Sequence, residues 1–151
     1  MKTILLILTL VTCLTGSVFA RVGETRQQID TRYGQGTKTN DRLTAPGVET
    51  WKFDKAGYQI EVILLNGKSI WEVFHRKGQL ISDEDVKGLI DLYDTTTTNW
   101  RFDRKDKQWK RSGKPKLIAY RWPGHEDYFC IKDVDACEAA EKGRGAGAGG
   151  L

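Results

Sequence analysis

Asn66-Gly67, set between the apolar runs Tyr58–Leu65 and Lys68–Lys77, is the feature that most narrows what this chain can fold into. Both residues tolerate positive φ, which a tight hairpin matching the twist of its flanking strands requires. The dipeptide therefore predicts two antiparallel strands and a register. Leu65 pairs with Lys68, Leu64 with Ser69, Val62 with Trp71, Ile60 with Val73 and Tyr58 with His75. Because side chains alternate between the two sides of a strand, the pairs from Leu64–Ser69 to Tyr58–His75 share one face. A turn at Asp54-Lys55-Ala56-Gly57 adds a strand over Thr50–Phe53, with Trp51 and Phe53 on that same face. The other side holds Lys52, Gln59, Glu61 and Glu72, with Ile63, Ile70 and Phe74 among them. One apolar and one mixed face predict a meander packed on one side.

What covers the apolar face is readable in the helix signals. Ser82 stands as an N-cap, with Asp83, Glu84 and Asp85 in the first turn, where the helix dipole favours negative charge. Val86, Leu89, Ile90 and Tyr93 follow at i, i+3, i+4 and i+7, a core-facing stripe. Gly88 lowers helix propensity by about 1 kcal/mol, and a close helix–sheet approach would explain it. Gly23 to Tyr33 reads as a shorter helix alongside, closed by Gly34, and 34–48 as a loop. After a connector at Asp94 and Thr95–Thr98, strands are predicted at Trp100–Phe102, Gln108–Lys110, Lys116–Trp122 and Tyr128–Ile131, with Pro123-Gly124 turning the last pair. Val134–Lys142 suits a short terminal helix, and GRGAGAGGL (143–151) has nothing to pack and is expected to be disordered. The fold class that follows is α+β: an antiparallel meander sheet of about six to seven strands, packed on one face by one or two helices. Residues 21–142 form its single domain.

Residues 1–20, MKTILLILTLVTCLTGSVFA, read as a cleavable secretory signal. Lys2 is a minimal basic region, Ile4–Val11 is too short an apolar stretch to span a bilayer, and Val18-Phe19-Ala20 suits signal peptidase. A buried N-terminal helix is the alternative for this stretch. A lipid anchor on Cys13 is another, although Thr12 stands where a lipobox wants Gly, Ala or Ser. Export with cleavage near Ala20, to the periplasm or beyond, leaves Cys130 and Cys137 as the cysteines of the mature chain. In an oxidising compartment such a pair is more often bridged than free, so a Cys130–Cys137 disulfide is expected, worth about 2–3 kcal/mol. Two buried thiols are the alternative. The C-x6-C spacing does not suit a C-x-x-C redox pair. No further apolar run is long enough for a transmembrane segment in the mature chain.

Charge is unevenly placed. The whole chain carries +4, and loss of Lys2 leaves +3. Segment 101–116, RFDRKDKQWKRSGKPK, holds eight Lys or Arg against Asp103 and Asp106, so the rest of the mature chain is net negative. Trp100, Phe102 and Trp109 interleave with these cations. Cations beside aromatic faces suit an anionic polymer: a cell-envelope glycan, acidic lipid head groups or nucleic acid. The residues singled out are Arg101, Arg104, Lys105, Lys107, Trp109, Lys110 and Arg111. The plainer reading is a solvated hairpin whose charges keep an edge strand from pairing with other chains.

Catalytic and metal motifs find little support. His75 and His125 are the two histidines, and His125-Glu126-Asp127 alternates faces on a strand; Phe129 occupies the place that H-E-x-x-H needs for its second His. Asp133-x-Asp135 opens like a calcium loop, but Glu138 stands where that loop needs Gly. Gly67-Lys68-Ser69 is followed by Trp71 rather than the second Gly of a nucleophile elbow. No phosphate-cradling Gly loop follows a strand. No cofactor and no metal are predicted, and nothing indicates a specific nucleic-acid site.

The stretch Val22-Gly23-Glu24-Thr25 … Gln28-Ile29-Asp30-Thr31-Arg32-Tyr33-Gly34, with Gly57–Val62, Asn66-Gly67-Lys68, Ser82 and Trp100, resembles a group of small secreted bacterial proteins of unknown function. Their opening helix is of G-E-T-x-x-Q-I-x-x-R-Y-G type. The likeness covers most of residues 22–122 and implies no activity. More distantly, residues 22–75 are similar to the SmpA/OmlA envelope lipoprotein domain and to β-lactamase-inhibitor-like α+β folds, which implies protein binding rather than catalysis. The expected function is therefore a noncatalytic exported module, not an enzyme, that binds an envelope polyanion or a protein partner. The alternatives are a small envelope hydrolase using carboxylates and a purely structural envelope protein.

Overall fold

The structure is a computed structural model that describes residues 21–40, 42–43, 45–93 and 99–147. The expected signal segment with Cys13, the Thr-rich connector 94–98, and the last four residues lie outside the described residues.

Helix α1 (Arg26–Tyr33) is followed by β1 (Thr37–Thr39), β2 (Val48–Lys55), β3 (Tyr58–Leu65) and β4 (Lys68–His75). Helix α2 (Asp83–Asp91) is followed by β5 (Trp100–Asp103), β6 (Gln108–Arg111), β7 (Leu117–Trp122) and β8 (His125–Asp133), and α3 (Val134–Gly147) ends the described chain. All pairings are antiparallel, in one sheet of order β1-β2-β3-β4-β8-β7-β6-β5. Each half is thus a helix followed by a four-stranded meander, and the halves join edge to edge along β4 and β8. The class is α+β as expected, but with eight strands. The added strand is β1, drawn from the predicted loop, and β2 begins at Val48 rather than Thr50.

Helix α2 starts at its expected Ser82 cap, whereas α1 starts at Arg26 behind a Thr25 cap, later than the expected Gly23. The Ser82 hydroxyl accepts the Asp85 N–H at 3.1 Å while the Asp85 carboxylate accepts the Ser82 N–H at 3.0 Å. Thr25 and Gln28 form the same reciprocal cap on α1. The α1 entry is pinned to β4, since Gly23 N–H donates to Ser69 O at 2.7 Å and Ser69 N–H to Glu24 O at 2.8 Å.

The hairpin turns at Asn66 (φ 51°) and Gly67 (φ 78°) and pairs Leu65 with Lys68 and Leu64 with Ser69 as predicted. A bulge then intervenes. Ile63 pairs with Trp71, Val62 with Glu72 and Ile60 with Phe74, so beyond Ile70 the predicted register is one residue out. A one-residue slip sends every later side chain of β4 to the opposite face. Glu72 and Phe74 therefore join Val62, Ile60, Phe53 and the α1 and α2 side chains in one core, while Trp71 and Val73 go to the other.

That other face is not open along its length. Cys137 and Ala140 of α3 pack with Val48, Ile63, Ile70, Val73 and Cys130 in a second core, so the sheet is covered on both sides rather than one. Helix α3 continues to Gly147, past the predicted end at Lys142.

The expected disulfide is not formed: Cys130 and Cys137 are both free and buried. The two thiols share the second core, but each is engaged elsewhere. Cys130 sits mid-strand against Trp71 and Tyr120, and the Cys137 thiol lies 3.8 Å from Ile70 O. Burial pushes both thiols up to about 12. Gly88 also departs from expectation, since it is exposed and a methyl group there would meet open space.

Candidate binding surface

The basic hairpin forms as β5 and β6, with β5 at the sheet edge. Its alternation splits the predicted cluster between two sides. Arg101, Lys110, Ile118, Lys132 and Trp71 make one cross-strand row, on the α3 side. Phe102, Trp109, Ala119, Ile131 and Glu72 make the next row, on the α1–α2 side.

The members differ in what holds them. Lys110 is neutralised twice, by Asp103 at 2.7 Å and Asp106 at 2.6 Å, which raise its pKa. Arg111 braces the fold, donating to Tyr93 O and Pro115 O at 3.3 Å each. Trp109 is a core wall, packed on Phe102 (centroids 4.7 Å) and edge-on to Phe129 (5.8 Å). Arg101, Arg104, Lys105 and Lys107 are exposed, and among the described residues none has a carboxylate partner. Four of the seven predicted residues therefore present free charge, and three serve the local structure. Beside them a shallow depression separates α2, at Val86 and Ile90, from Trp100, half-exposed Phe102 and Trp109.

Sequence reasoning missed the aromatic surface across the α3 side of β4, β8 and β7. Trp71 and Trp122 stack at 6.0 Å with ring planes 6° apart. His75 stacks on Tyr128 at 4.2 Å, and its Nε2 lies 3.1 Å from Asp127 Oδ2. Lys132 sits over the Trp71 and Tyr120 rings, and Arg42 over Trp122 at 5.3 Å. Arg42 is itself held by Glu61, which Lys52 also approaches at 3.3 Å. Burial alone would raise the Glu61 carboxyl; the Arg42 hydrogen bond and charge, with Lys52, more than offset it and hold it low. The signal for it in the sequence is the alternation of Tyr120, Trp122 and Tyr128, which puts the three rings on one face.

A second charged cluster lies on the opposite side and is closed. Glu72, fully buried, accepts the Tyr33 hydroxyl at 2.7 Å and approaches Arg32 at 3.4 Å, and Arg32 also pairs with Glu24. Tyr93, at the end of α2, is buried beside it; burial and then the Glu72 charge push its phenol well above 10. Glu24 and Glu72 are two carboxylates on one guanidinium, but Glu72 is sealed from any substrate. The charge holds α1 to β4.

Among the described residues no group of His, Cys, Asp and Glu is arranged to hold a metal ion, and no helix is long and apolar enough to cross a membrane.

No protein-family model matches the chain, and no curated protein sequence does. Among solved structures it is similar to a cysteine-rich secretory protein from Staphylococcus aureus, at 8% identity and a TM-score of 0.41 over 76% of this chain, and it spans 44% of that protein's length.

Proposed function

We propose that this protein is a noncatalytic, exported binding module that holds an acidic polymer of the cell envelope through the β5–β6 hairpin. The observation that carries the reading is the set of exposed cations without carboxylate partners at one sheet edge: Arg101, Arg104, Lys105 and Lys107. A hairpin built only for solubility or edge protection is served equally well by charges paired within it, as Lys110 is. Unpaired cations keep their full attraction for a polyanion and release its condensed counterions on binding.

The test is retention of residues 21–151 on heparin and on nucleic-acid resin as salt is raised. Lys105→Ala with Lys107→Ala is expected to lower the salt slope by about two, whereas Lys110→Ala, which removes a neutralised charge, leaves it nearly unchanged. Elution of the wild type at low salt, unaltered by the double substitution, ends the reading. Export is tested by the intact mass of the protein recovered from the envelope. A chain starting at Arg21 supports it, and an unprocessed chain in the cytosol contradicts it.

A further inference from the structure

Beyond the hairpin, Arg42, Trp122, His125 and Tyr128 line an open recess of about 210 Å³ on the α3 side of the sheet. We propose that it is a separate site for a single pyranose ring bearing a carboxylate, a uronic-acid residue. The proposal stands on these four residues and not on the hairpin.

The shape argues for a sugar. Trp122 meets Tyr128 at 61° and His125 meets Tyr128 at 76°, so the rings form a corner and not a parallel-walled slot. A flat aromatic ligand is held best between two parallel faces, and these walls are not parallel. Trp122 already stacks on Trp71 and Tyr128 on His75. A puckered ring carries C–H bonds in several directions and meets corner walls from more than one side. The volume suits one such ring and lies below the range of drug-sized pockets.

The charge argues for an acid. Arg42 Nε is taken by Glu61, while among the described residues its two terminal nitrogens have no hydrogen-bond partner. A guanidinium so held presents a fork that fits a carboxylate. The His125 ring nitrogens likewise have no hydrogen-bond partner among the described residues, and the residue is exposed. Ring walls, an anion fork and a free imidazole converge on one small volume.

The experiment follows the Trp122 indole and His125 ring signals by NMR while glucuronate, glucose or benzoate is added. Glucuronate is expected to give saturable shifts at both residues, with glucose at least roughly tenfold weaker for want of the charged contact. Arg42→Gln should weaken glucuronate by a similar factor. Glu61 keeps Lys52 in that variant, and the dispersion of the amide spectrum checks its fold. His125→Ala, at an exposed position, is a second variant expected to weaken binding several-fold without touching the core. Lys105→Ala with Lys107→Ala should leave glucuronate binding unchanged, even where it weakens heparin retention. Absence of saturable shifts, equal response to glucose, benzoate binding as tight as glucuronate, or loss of binding in the hairpin variant would each overturn the assignment.

Discussion

Two arginine–glutamate pairs lie on opposite sides of the same sheet and are built to opposite ends. Arg32 and Glu72 have side chains 6% and 0% exposed, enclosed by Tyr33, Tyr93 and two helices. Arg42 and Glu61 are 33% and 15% exposed, at the rim of an aromatic recess. The first pair has no access to any ligand and every sign of holding elements together. The second leaves part of its guanidinium uncommitted. The two proposed sites use charge that is both reachable and unsatisfied, a criterion that also sorts Arg101, Arg104, Lys105 and Lys107 from Lys110 and Arg111.

The comparison breaks most readily at Glu72. Glu72→Ala leaves the Arg32 guanidinium buried with Glu24 alone, and losing one partner of such a pair costs about 3–5 kcal/mol. Urea unfolding should show that loss, whereas Glu61→Ala, at the open pair, should cost about 1 kcal/mol or less. Equal losses would erase the distinction between the two pairs.

The two clusters also predict opposite pH dependence. Burial raises the Glu24 carboxyl above its ordinary 4.5, against the pull of Arg32. Its contribution to stability is therefore fully present below 4.5 and is lost as pH rises through the raised folded value. Glu61 is held below 4.5 in the fold, so its contribution is present above 4.5 and is lost as pH falls through the lowered folded value. Unfolding free energies against pH for Glu24→Gln and Glu61→Gln should differ from wild type with slopes of opposite sign. Slopes of the same sign would contradict the assignment.

Smaller effects sharpen the picture at single positions. Gly88→Ala should stabilise by about 1 kcal/mol, because the site is exposed and open and the helix gains propensity. Cys130 and Cys137, free, buried and pushed up to about 12, should resist a thiol reagent in the native protein and react as two thiols on denaturation. Fewer than two reactive thiols in denaturant would restore the bridge that the structure lacks.

Local chemistry was legible in the sequence and long-range chemistry was not. The Asn66-Gly67 turn, the Ser82 cap and the stripe from Val86 to Tyr93 each depend on residues within one turn or hairpin, and each forms as predicted. The bulge at Ile70 has no such local mark: Ser69-Ile70-Trp71 reads as an ordinary alternating strand. Glu72 was the visible anomaly, a carboxylate in an apolar run, and the unbroken register put it on the mixed face. Its partners Arg32 and Tyr33 are about forty residues away, so a single sequence offers no way to pair them. In the same way the Gly-Glu-Thr…Arg-Tyr-Gly stretch has the look of a signature, yet its residues cap α1, pin it to Ser69 and close over Glu72. The motif describes how the helix is fastened. The hairpin cations are legible as a run in the sequence, but which of them are neutralised depends on the cross-strand geometry that brings Asp103 and Asp106 to Lys110.

The most direct test of the central claim is an amide chemical-shift map of the protein titrated with an oligosaccharide of dextran sulfate, a polyanion that carries no uronic acid. Shifts concentrated at residues 101–107, with the α1–Glu72 cluster unmoved, are the predicted result. A response centred on α1, or one spread evenly over the surface, would contradict it.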